Sequence, residues 1–198
     1  MTGRGFGRHS RPPRSTRGVL AGADLTSVAL RAGRGDEDAL TVLVERTIGD
    51  VRRYCAHMLG VGDADDLTQL TYLRAMRSLP SYRGDSTART WLIGIARHVC
   101  LDELRSRQRR ERLASRLQAE RPAPPLVADT TSVEIREAIA RLSPQRREAF
   151  VLTQLLGFGY EESAEIVGCP TGTIRSRVAR ARVDMIGDLS AVPDAATS

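Results

Sequence analysis

The stretch YEESAEIVGCPTGTIRSRVARARV, residues 160–183, decides how the rest of the chain is read. Tyr160 to Val167 has the length of a short helix, and Gly168 can take the left-handed conformation that closes one. Cys169 and Pro170 make a turn, with proline tolerated just before or within the first turn of the helix that enters at Thr171. At about 100° per residue, Ile174, Val178, Ala181 and Met185 share one face, which is expected to be core. Thr173, Ser176 and Arg180 lie near the opposite side with Arg177 at their flank, while Arg175 and Arg182 fall together on the other flank. The glycine-proline turn and the lack of any acid from Thr171 to Val183 make this a helix-turn-helix pattern rather than a solvated basic helix. Its outer face suits a major groove, where arginine pairs with guanine for about 1–3 kcal/mol of discrimination and the flanking arginines suit phosphate.

Upstream, a helical unit over 132–189 contains this motif, with Ile135, Ile139 and Leu142 on its first helix and Phe150, Leu152, Leu155 and Leu156 on its second. Residues 108–131 carry Arg109, Arg110, Arg112, Arg116 and Arg121 before Pro122, Pro124 and Pro125, whose rings forbid a continuing helix, so a flexible linker is expected there. Residues 25–107 are helical again. Leu40, Leu43, Val44, Ile48 and Val51 repeat at three and four behind Asp36, Glu37 and Asp38. Asp63, Asp65 and Asp66 precede Leu67, Leu70, Leu73 and Met76, a helix that Pro80 must stop, and a third helix from near Ser86 carries Trp91, Leu92, Ile95, Val99 and Leu104. Residues 1–24 begin with five arginines among Gly, Ser and Pro and are expected to be a disordered basic arm, and residues 190–198 a fraying tail. The expected fold is all-α, two small helical domains joined by the linker.

Composition agrees. Aromatic residues are 4% of the 198, too few for an aromatic-rich sandwich or barrel, while 41% apolar residues suffice for helical cores. All 30 basic residues are arginine against 24 acids, a formal +6 that points to an anionic partner, while the missing lysine itself is read as coding bias toward arginine. Cys55, Cys100 and Cys169 are odd in number and widely spaced, and His9, His57 and His98 are scattered, so no disulfide framework, metal site or cofactor is expected. With no phosphate-cradling loop and no nucleophile with its base, neither catalysis nor a small-molecule substrate is expected. No apolar run is long enough for a membrane, and the chain is expected to be cytoplasmic.

Two separate stretches resemble one family. Leu142-Ser-Pro-Gln-Arg-Arg-Glu-Ala-Phe150, Gly157-Phe-Gly-Tyr160 and Gly168 to Arg182 resemble region 4 of the extracytoplasmic-function sigma factors of the sigma-70 family, the part that reads the −35 promoter element. Ala64-Asp-Asp-Leu-Thr-Gln69, Tyr72-Leu-Arg-Ala75, Thr87 to Arg97 and Asp102-Glu-Leu-Arg105 resemble region 2, and the whole is similar to the sigma C branch of high-GC Gram-positive bacteria. The resemblance implies a subunit that binds core RNA polymerase and promoter DNA, meeting the clamp helices of the largest subunit and the flap of the second-largest; many relatives also have an anti-sigma factor.

Carried over by position, Asp65, Asp66, Gln69 and Arg74 would dock on the clamp helices, although spacing alone reads Asp66 and Gln69 equally as N-terminal charge on a solvated face. Leu70 stands where an acid is usual. Tyr82, Arg83, Arg89, Arg97, His98 and Arg105 would capture and open the −10 element, a task that needs cations for a single-strand backbone and a platform for bases. Tyr82 is the better stacking candidate, because Trp91 shares a face with Ile95 and Val99, and His98 stands where many relatives carry Asn. Thr173, Arg175, Ser176, Arg177 and Arg180 would read the −35 element. The competing class is a helix-turn-helix regulator that binds DNA without being a polymerase subunit, and the first domain discriminates the two.

Overall fold

Aspartates open the first two helices: the Asp24 carboxylate accepts from the Ser27 N–H at 3.0 Å, and that of Asp36 from the Ala39 N–H at 3.0 Å, each satisfying a donor that the helix leaves orphaned. The computed structural model describes Leu20 and residues 22–114 and 133–190. Among these residues eight α-helices are present. The first domain contains α1 (Leu25–Ala32), α2 (Glu37–Leu59), α3 (Val61–Ser78) and α4 (Ala88–Ala114), with a 3₁₀ turn over Leu79–Ser81. The second contains α5 (Val133–Arg141), α6 (Pro144–Phe150), α7 (Tyr160–Val167) and α8 (Thr171–Ser190), with a π-helical turn over Val151–Leu155 between α6 and α7. Among the described residues no helix is long and apolar enough to cross a membrane.

The breaks have local causes. Gly60, at φ 98°, separates α2 from α3, and Pro80 sits in the 3₁₀ turn that ends α3. Gly33 lies under the Leu79 carbonyl, where an added Cβ would fall 2.6 Å from the oxygen, so only glycine lets α1 approach the end of α3. In the π turn the Leu156 N–H donates to the Val151 carbonyl at 2.9 Å, one residue further back than an α-helix reaches.

Two boundaries differ from expectation. The arm expected over 1–24 lies outside the described residues up to 19, but Leu20 is buried beside Val28 and Leu43, and the Ala23 carbonyl accepts from Arg46 at 2.6 Å. At the other end α4 runs to Ala114, past the expected linker start at 108, because Arg107 and Arg110 both bond Glu103 along one face of the helix. The rest of the linker, 115–131, and the tail from 191 lie outside the described residues.

The two domains share one core. Val51, Tyr54, Ile93 and Val99 of the first pack in the same cluster as Ile139, Leu152 and Leu156 of the second. Arg147 ties both together, bonding the Ile139 and Leu142 carbonyls at 3.2 Å and the Met58 carbonyl of α2 at 3.5 Å. The Cys55 and Cys100 thiols lie 3.8 Å apart in the first domain, buried and unbridged, as small apolar residues would.

Candidate protein and nucleic-acid interfaces

An open groove of about 550 Å³ runs between α2 and α3, lined by Ile48, Arg52, Asp65, Gln69, Leu73 and Met76 among others. Of Leu67, Leu70, Leu73 and Met76, the large apolar side chains of this helix, only Leu67 is buried. Leu73 is 49% exposed and Met76 45%, with Ile48 beside them at 44%. Leu73, Met76 and Ile48 thus put three large, partly exposed apolar side chains on one surface. The structure brings Asp65 and Gln69 into the groove lining, and Arg52 bonds Asp65 across it at 2.6 Å. Asp66 is exposed next to them. Arg74 is not with them: nine residues after Asp65 it lies about 180° round the helix, and it bonds Asp102 of α4 at 2.7 Å.

The six residues expected at the −10 element fall into three settings. Arg83, His98 and Arg105 are exposed. Tyr82 is half-buried, its ring centroid 4.8 Å from that of Trp91 and its hydroxyl donating to the Ser86 carbonyl at 2.6 Å. Trp91 packs against the cores on either side of it, as expected of a core residue. Arg89 and Arg97 meet the second domain. Arg89 bonds Asp50 at 2.6 Å and the Leu156 carbonyl, and its guanidinium lies 4.1 Å from the centre of the Phe158 ring.

Arg97 leads to a residue that the sequence did not single out. Its Nε donates to the Glu148 carboxylate at 2.9 Å, and the Tyr54 hydroxyl donates to the same oxygen at 2.9 Å. Glu148 is 6% exposed, a carboxylate buried between the domains and stabilised there because it is paired. Burial, then the nearby Glu148 charge, pushes the Tyr54 hydroxyl well above its ordinary value of 10.0, so it remains a donor. The one signal in sequence was position: Glu148 stands beside Ala149 and four residues before Leu152, on the edge of an apolar stripe where a carboxylate needs a partner.

The helix-turn-helix follows its sequence closely. Gly168 adopts φ 73° and ψ 44°, and the Thr173 N–H donates to the Pro170 carbonyl at 2.8 Å as α8 begins. Ile174, Val178, Ala181 and Met185 are buried. Ile174, Val178 and Met185 each contribute about 1.5–3 kcal/mol on burial, more than a surface pair, so this stripe fixes which face of α8 is left outward. Arg175, Ser176 and Arg180 are exposed on the outer side, with Thr173 and Arg177 half-buried. Arg175 lies 5.6 Å from the Tyr160 ring centre, and Arg182 bonds Gln154 at 2.7 Å.

Comparison with known proteins assigns both halves. The family described as Sigma-70 region 2 matches residues 43–110, and Sigma-70, region 4 matches residues 132–185. The ECF RNA polymerase sigma factor SigC of Mycobacterium tuberculosis is 44% identical over 176 residues, covering 86% of this chain and 92% of that protein. The ECF RNA polymerase sigma-E factor of Escherichia coli is 31% identical, covering 77% and 87%. Among solved structures, the sigma factor RpoE of Bartonella quintana, in complex with the anti-sigma factor NepR, superposes with a TM-score of 0.67 at 28% identity, covering 75% of this chain and 94% of that one. CnrH, in complex with the cytosolic domain of CnrY, has the same fold at a TM-score of 0.65 and 24% identity, covering 85% and 99%.

Proposed function

The chain belongs to the extracytoplasmic-function RNA polymerase sigma factors, and from that premise we propose how its residues divide the work of initiation. It is a polymerase-associated sigma factor, which binds core RNA polymerase and directs promoter-specific initiation by reading −35 and −10 elements, rather than an independent regulator. The groove between α2 and α3, with Asp65 and Gln69 in its lining and Asp66 beside it, takes the clamp helices of the largest subunit. Arg74 supports that docking by holding α3 against α4 through Asp102. Tyr82, Arg83, Arg89, Arg97, His98 and Arg105 bind the −10 strand, and Thr173, Arg175, Ser176, Arg177 and Arg180 present the outer face of α8 to the −35 major groove. The second domain meets the flap of the second-largest subunit.

The observation that carries this reading is the groove. A regulator that acts by binding DNA alone needs the face of α8 but not a row of exposed apolar side chains beside paired charges on a separate domain. The protein works in the cytoplasm, without a cofactor and with no reaction of its own. RpoE and CnrH are each held by a second protein, and an anti-sigma factor is a further partner proposed for this chain.

Run-off transcription with purified core polymerase on a promoter library tests the whole. Protein-dependent starts sharing −35 and −10 elements are expected, and Asp65→Ala with Gln69→Ala should weaken capture of core enzyme. No initiation, with tight binding of the protein alone to duplex DNA, would return the regulator.

A further inference from the structure

Beneath the groove between α2 and α3, three helices of the first domain meet around sulfur. Cys55 of α2 and Cys100 of α4 are both buried, and the Cys100 thiol donates to the Cys55 sulfur at 3.8 Å. Thr68 and Thr71 of α3 stand on the Cys55 side. Their hydroxyls rest on the Ala64 and Leu67 carbonyls at 2.6 and 2.7 Å and lie within bonding reach of the Cys55 sulfur. Thr68 also belongs to the groove lining, so a single side chain separates Cys55 from an open surface. The two sulfurs are unequal. The hydrogen bond from Cys100 holds the Cys55 thiol below its ordinary value against the desolvation of burial, with both threonines adding to it, while the same bond and burial push the Cys100 thiol up.

We propose that Cys55 and Cys100 form a reversible oxidation site for a small hydroperoxide, which enters past Thr68 and leaves a disulfide between α2 and α4. Cys55 is the attacking sulfur, because the thiolate is the nucleophile and Cys55 is the thiol whose neighbours stabilise that form. It takes the outer oxygen of the hydroperoxide. The O–O bond breaks, and the departing alkoxide or hydroxide accepts the proton that Cys55 gave up and leaves as alcohol or water. Cys55 is then a sulfenic acid, oxidised by two electrons. The Cys100 sulfur attacks it, the S–O bond breaks, and the leaving hydroxide takes the Cys100 proton as water. Two thiols and one hydroperoxide thus become one disulfide, one water and one alcohol or second water. The sulfurs close from 3.8 Å to about 2 Å, by side-chain rotation and a small approach of α2 to α4. Where thiols are kept reduced such a bond is transient, and exchange with a dithiol reductant returns both cysteines.

Hydrogen peroxide added to the full wild-type chain, followed by alkylation and mass spectrometry, tests the site without any variant. Peptides joined through Cys55 and Cys100 and released by dithiothreitol should accumulate at least as fast as Cys169 is oxidised, although Cys169 is the more exposed thiol. No such pair, or one that forms only after Cys169 is consumed, would overturn the proposal. Cys100→Ser should stop at the sulfenic acid, so that dimedone labels Cys55, whereas in Cys55→Ser the label should reach Cys100 at least about tenfold more slowly. Equal labelling would overturn the order of attack. Thr68→Ile removes the hydroxyl and adds bulk between groove and sulfur, and should slow disulfide formation at least about fivefold with helicity by circular dichroism unchanged. An unaltered rate in that variant would overturn the entry past Thr68.

Discussion

Helices α4 and α8 carry comparable rows of arginine and dispose of them in opposite ways. On α4, Arg89 and Arg97 are turned into an interface, bonded to Asp50, Glu148 and a carbonyl; on α8, Arg175 and Arg180 face outward over a fully buried inner stripe. The helices themselves do not make this difference. What decides it is the neighbour: α8 has a complete set of partners for its apolar face within its own domain, and α4 has both domains packed around it. A guanidinium's availability to DNA is therefore a property of the tertiary packing, and the contrast can be broken or sharpened experimentally.

The largest effect is expected at Arg97. Arg97→Met leaves Glu148 buried with Tyr54 as its remaining donor, and urea denaturation of the full chain should show a loss of about 3 kcal/mol. If the midpoint does not move, α4 does not hold its arginines as described and the contrast with α8 fails. Arg180→Ala is the mirror experiment. Its stability should change by less than about 0.5 kcal/mol, while discrimination between a −35 element and its single-base variants should fall by about 1–3 kcal/mol in holoenzyme binding, with core-enzyme affinity unchanged. An equal loss of core binding would mean that the outer face of α8 is assigned wrongly.

The smallest effect concerns the exposed Arg74–Asp102 pair. The hydrogen bond from Arg74 holds the Asp102 carboxyl below its ordinary 3.8. Because the folded value is the lower one, the pair's stabilisation is present in full above the unfolded value and fades as the pH falls through the folded one. Arg74→Met should therefore cost a few tenths of a kcal/mol at neutral pH, after solvent screening, and nothing measurable at about pH 2, as read from thermal denaturation at the two conditions. A cost that persists in acid would show that Arg74 acts through its packing rather than its charge.

Much of this was legible in the chain itself, and the reasons are physical. The bounds of α7 and the start of α8 follow from Gly168 and Pro170, since a left-handed glycine and a proline act on their immediate neighbours and need no tertiary information. The inner face of α8 follows from helical period for the same reason. By contrast, the exposure of Leu70, Leu73 and Met76 was not legible, because a spacing of three carries them progressively round the helix without saying which of them a neighbour will bury. The length of α4 escaped because the helix is sustained by ion pairs to Glu103 rather than by an apolar stripe. Glu148 escaped because its partners, Tyr54 and Arg97, are 94 and 51 residues away.

The π turn over Val151–Leu155 sets the two halves of the interdomain contact at their present angle, Glu148 upstream of it and Leu156 and Phe158 downstream. A π turn is an α-helix that has accepted one residue more, and one residue is worth about 100° of rotation. Substitutions around Glu148 weaken the contact one bond at a time. Because the wider turn absorbs that rotation, loss of a single codon within 151–155 would close it to ordinary α-helix with Glu148 and Leu156 near their present faces, so that this contact tolerates a change in chain length at the turn more readily than a change of charge at Glu148.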